Sequence, residues 1–158
     1  MEAGTTTPPD RTAPRRRTRP GPVARRVGYL ISIAVNVVIL WLVFVSPGWE
    51  AVPFLTDRMI DVLPVVTASI LVSIVVNLVW LAVDPLWLHA LGDGVNAAMG
   101  VVVTGGLLSV FPFSFEDNQV VELFVRVLLV VGLVGASIAV VVNLVMVIRY
   151  LTHAVPPD

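Results

Sequence analysis

The chain has 158 residues, 57% of them hydrophobic and 13% charged, with a mean hydropathy of +0.93 and a formal net charge of −1. Soluble domains carry about 25% charged residues, so this composition excludes a water-soluble globular protein and predicts one embedded in a bilayer. Cysteine is absent, which excludes disulfides, thiolate metal sites and thiol chemistry; all ten basic residues are arginine, a bias that points to a GC-rich, bacterial genome.

A hydrocarbon core of about 30 Å takes roughly 20 apolar helical residues per crossing. Four windows approach or exceed that length: 27–45, 64–83, 95–111 and 124–148. The third is the shortest. The 34 valines raise the alternative of a transmembrane barrel, but barrel strands alternate apolar and polar residues, and these runs are apolar on every side. A helix satisfies its own backbone hydrogen bonds in lipid, so the predicted fold class is an all-α membrane protein, a four-transmembrane-helix bundle spanning residues 23–151.

Residues 1–22 hold five prolines and no apolar periodicity, and such a segment buries too little surface to offset its ordering entropy. It is read as a disordered cytoplasmic tail. Seven of the ten arginines lie in or beside it, among them Arg15, Arg16, Arg17, Arg25 and Arg26. The positive-inside rule then keeps the N-terminus cytoplasmic, and four crossings return the C-terminus, a short tail at 152–158, to the same side. This basic cluster suits anionic lipid headgroups, at about 1 kcal/mol per residue near the surface, better than nucleic acid. The first apolar run exceeds a signal-peptide core and lacks a small-residue cleavage site, so it is read as a retained helix.

Between the first two spans, Pro47 and Gly48 end a helix, Trp49 and Phe54 suit the headgroup level, and Thr56 is positioned to cap a short interfacial helix. On the inner side a second short helix is predicted, with Asp84 as N-cap, Pro85 at its first position and Gly92 as its stop. The second outer loop, 111–119, is aromatic and then polar. Glu122 and Arg126, four residues apart, are placed to pair at the start of the fourth helix.

Each span also contains an asparagine. Residues four apart share a helix face, and tracing those faces gives Gly28, Ser32, Asn36 in the first helix and Ser69, Ser73, Asn77 in the second. The fourth carries Gly135, Ala139, Asn143, and the third reverses the order as Asn96, Gly100, Thr104. Small residues at this spacing let helix backbones approach, and interhelical bonds from asparagine add about 0.6–2 kcal/mol each. At about 1.5 Å per residue, Asn77 and Asn143 lie about 10 Å inside the cytoplasmic edge, so the four make a staggered polar track. Three uses compete: packing between helices or subunits, which is favoured; a polar cavity for a small molecule or ion; and bonding of an amide to its own helix. The near-copies Val75–Trp80 and Val141–Met146 hint at a duplicated hairpin.

No span holds a central charge, which argues against a proton-coupled pump or an intramembrane protease. His89 and Asp93, with Asp84, are the one weak metal-binding possibility, read instead as caps, turns and an interfacial histidine. Glu50, Asp57 and Asp61 read as solvated loop charge, and Gly105–Gly106 as close packing or a bend. No phosphate loop or nucleophile motif occurs. The expectation is a non-enzymatic integral membrane protein without cofactor or metal, acting by association with a membrane partner or its own copies. The competing class is an oligomeric carrier or channel using the asparagine track.

Overall fold

The computed structural model describes residues 21–83, 85–115 and 118–153, and these contain four helices long and apolar enough to cross a membrane. Helix α1 spans Pro22–Phe44, α2 Met59–Ala82, α3 Leu86–Val110 and α4 Gln119–His153. At about 1.5 Å per residue, α1 to α3 are about 35–38 Å long and α4 about 52 Å, and each begins before its apolar window. The N-terminal tail, with Arg15, Arg16 and Arg17, lies outside the described residues, as do Asp84 and 154–158.

Pro22 begins α1, where its missing N–H is one of the groups a helix start leaves unused anyway. The chain leaves α1 through Pro47 and then Gly48, whose φ of +86° is a conformation that glycine adopts without steric cost. The loop between α1 and α2 holds a single 3-10 turn at Trp49–Ala51 where a short helix is expected. Thr56 caps nothing: α2 starts at Met59 without a side-chain cap. The Thr56 backbone N–H instead donates to the Pro112 carbonyl at 2.9 Å, and the Ser114 N–H donates to the Phe54 carbonyl at 3.0 Å. With an antiparallel bridge between Leu55 and Phe113, these bonds stitch the α1–α2 and α3–α4 loops together.

Gly92 does not stop a helix. Leu86–Val110 is one continuous helix, with Pro85 as the extended residue before it and not the first helical position. A mid-helix glycine costs only about 1 kcal/mol relative to alanine, no proline follows, and Gly92 is buried where α3 comes closest to α2.

Each helix packs against its neighbours in sequence, most extensively α3 on α4, while the α1 backbone approaches neither α3 nor α4, and α2 does not approach α4. The bundle is therefore open, with α1 and α4 as its two edges. Its small core is carried by α2, whose Met59, Val62, Ile70, Asn77 and Trp80 are buried and recur on one face at helical spacing. Among the described residues, α1 and α4 contribute no buried side chain.

Candidate functional site

The asparagine columns divide between two seams. In α1, the Asn36 amide Nδ2 donates to the Ser32 carbonyl at 2.8 Å and makes a long contact, 3.5 Å, to the Ser73 hydroxyl of α2. Asn77, 4% exposed, donates to the Ser73 carbonyl at 2.8 Å, and Asn143 donates to the Ala139 carbonyl at 2.9 Å. Helix side chains lean toward the N-terminus, which brings an Asn amide onto the carbonyl one turn back. A serine or alanine at that position leaves room for it. The repeated small-then-Asn spacing thus has a local cause in three helices, and among the described contacts only the Asn36 amide also reaches a polar atom of another helix.

The other column members separate in the same way. The Ser69 hydroxyl donates to the Val66 carbonyl at 2.7 Å. Gly28 and Gly135 have no atom within 4 Å of where a Cβ would stand, whereas a Cβ on Gly100 would stand 3.6 Å from that of Ala136. A Cβ on Gly132 would lie 3.8 Å from Thr104 Cγ2, and one on Gly94 would lie 3.4 Å from Asn143 Cβ. The α3–α4 seam therefore uses Gly94, Gly100 and Thr104 against Asn143, Ala136 and Gly132, and Gly135 points away from it. Asn96 is half-buried. Of the glycine pair, Gly106 packs, its Cβ position being 3.1 Å from Val62, while Gly105 meets nothing.

A groove of about 220 Å³ runs along this seam beside Asn143, walled otherwise by apolar or small residues: Ala90, Leu91, Gly94, Val95 and Ala98 of α3 and Val140, Leu144 and Val147 of α4. The Asn143 amide, with one N–H already on its own helix, is the polar side chain in that wall.

At the end of the molecule where α1 begins, three side chains from three helices meet. The Tyr29 hydroxyl lies 3.2 Å from His89 Nε2, and the Trp80 ring centroid is 5.6 Å from that of Tyr29 and 4.7 Å from that of His89. Trp80 Nε1 donates to the Leu88 carbonyl at 3.2 Å, which fixes the indole. His89 is thus engaged by aromatic partners; among the described residues, which leave out Asp84, no three His, Cys, Asp or Glu side chains gather. Arg25, half-buried, lies one turn before Tyr29, and Arg26 is exposed. Nothing in the hydrophobic pattern marks this cluster; its signal was three amphipathic rings, each near a helix end.

At the opposite end, Glu122 Oε1 accepts two hydrogen bonds from Arg126, at 2.8 and 3.0 Å, as the spacing predicts. The same guanidinium lies 3.8 Å over the Phe111 ring, and Phe54, Phe115 and Phe113 form a stacked row with 6.2 Å between successive centroids. Tertiary position brings Phe54 to Phe115. No family model, curated protein or solved structure matches this chain.

Proposed function

We propose that this chain is a non-enzymatic integral membrane protein that works by association, as an accessory subunit or a homo-oligomer, with both termini on the cytoplasmic side and the basic tail against anionic lipid. The observation that carries this reading is the disposition of the amides. Three of the four asparagines bond their own helices, and the groove beside Asn143 is otherwise apolar. That arrangement suits helix contact better than a hydrated path for a polar solute. The open edges formed by α1 and α4 leave long apolar faces for lipid or a partner helix.

The test is the mass of the purified protein in mild detergent, by light scattering, together with affinity capture of co-purifying membrane proteins. A defined oligomer or a stoichiometric partner supports association. A lone monomer that carries a small polar solute or ion across liposomes overturns it in favour of a carrier.

A further inference from the structure

We infer that α4 pairs with the α4 of a second copy of this chain as a parallel, left-handed two-stranded coil; the inference rests on association as the mode of action and names the partner. Residues recur along α4 at alternating spacings of three and four. Val120, Val127, Val134, Val141 and Ile148 stand seven apart, and Leu123, Val130, Ser137, Leu144 and Leu151 follow them by three. All ten side chains are exposed. The stripe is turned away from α3: Val134 stands two residues, about 200° of helix, from both Gly132 and Ala136, which meet Thr104 and Gly100 of α3.

A repeat of 3.5 residues, held for more than four heptads, keeps one seam against one partner when two helices wind round each other left-handedly. The side chains select the number of strands: the first position of every heptad is β-branched, and leucine fills three of the five facing positions, the combination that favours parallel dimers. Two copies inserted the same way and related by a twofold axis along the membrane normal bring each residue beside its own counterpart at equal depth, so the pairing is in register. No charge interrupts the stripe, since Glu122, Arg126 and Arg149 lie off it. Ser137 stands eleven residues from Arg126 and twelve from Arg149, midway along the apolar stretch, where a small side chain lets two backbones cross closely. Its hydroxyl already donates to the Leu133 carbonyl at 2.8 Å, so closing the seam strands no donor. Covering the stripe on both copies hides roughly 1,500 Å², within the range of about 1,200–2,000 Å² that stable protein interfaces bury.

The absence of cysteine gives a silent background for single-cysteine variants of the full chain, oxidised in dilute liposomes and read as disulfide-linked dimer. Val134→Cys, Ser137→Cys and Val141→Cys should each give about fivefold more dimer than Leu128→Cys and Val142→Cys, which are also exposed but lie on another face. Ser137→Phe should weaken the dimer in detergent about tenfold at unchanged helicity, and Val142→Phe should leave it intact. Cross-linking that lacks this periodicity, or that peaks at Leu128→Cys and Val142→Cys, in a protein still oligomeric or partner-bound overturns the α4 seam and leaves association standing. A monomer that cross-links at none of the five positions overturns both.

Discussion

Gly92 lies directly beneath the indole of Trp80: a Cβ at that position would stand 2.6 Å from Cζ2 and 2.9 Å from Cε2 of the ring, and 2.7 Å from Val76 Cγ1. Contacts this short do not persist, so any side chain here must push α3 off α2. Overpacking of this kind costs about 1–3 kcal/mol. Gly92→Ala is therefore expected to lower stability by that amount in detergent unfolding followed by circular dichroism. Adding Trp80→Phe, which removes both clashing ring atoms, should recover part of the loss. A Gly92→Ala protein as stable as the parent would contradict this packing.

The three back-bonded asparagines are expected to differ in cost. Asn77 is buried, so Asn77→Ala leaves a void on the α2 face and should cost about 1–2 kcal/mol. Asn36→Ala removes one long contact to Ser73 and should cost about 0.6 kcal/mol or less. Asn143→Ala falls between, since its Cβ seats Gly94 but its amide bonds only its own helix. Unfolding free energies of the three variants, measured side by side, check the order, and equal losses at Asn36 and Asn77 would count against it.

Two glycines test which face of α4 meets α3. Gly100→Leu drives a side chain into Ala136 and is expected to destabilise by about 1–3 kcal/mol. Gly135→Leu enters open space and should change monomer stability by no more than about 0.5 kcal/mol. A large loss at Gly135 in a protein whose mass is unchanged would mean that the seam is misplaced. A loss that accompanies dissociation would instead locate Gly135 at a contact between subunits.

Arg126 holds both Glu122 and the Phe111 ring. Phe111 occupies the left-handed region, with φ of 44°, an unusual conformation for a large side chain, at the point where α3 turns toward α4. A double-mutant cycle of Arg126→Gln with Phe111→Leu should give a coupling of about 0.5–1 kcal/mol. The Glu122 pair, half-exposed on both sides, is expected to contribute similarly little and to weaken with added salt. Additivity in the cycle would show that the guanidinium and the ring are neighbours without interaction.

Apolar runs identified the four helices long and apolar enough to cross a membrane, because lipid imposes a length and a polarity that a sequence displays directly. The Glu122–Arg126 pair was legible for a similar reason, its geometry being set within one helix. The Gly92 position was misread because a glycine that ends a helix and one that admits a neighbouring indole look alike until the neighbour is known. The asparagine columns were found, but their cause was half local: spacing of four marks both an interhelical face and the reach of an amide to the preceding turn. Gly135 fell in a column and Gly132 did not, yet Gly132 is the one at the seam, since helix rotation is set by partners. The bridge between Leu55 and Phe113 and the contact between Tyr29 and His89 join residues 58 and 60 positions apart, and no local pattern encodes such a meeting.

The serial packing of the helices also orders how the molecule is made. Among the described residues, backbone packing lies between consecutive helices, so each newly synthesised helix finds its main partner already made. Topologies dominated by such near-neighbour contacts form quickly, and domains begin to organise from the N-terminus during synthesis. The last and longest segment, α4, completes the most extensive seam. A chain interrupted before α4 would lack that seam and leave the Gly94–Gly100–Thr104 face uncovered.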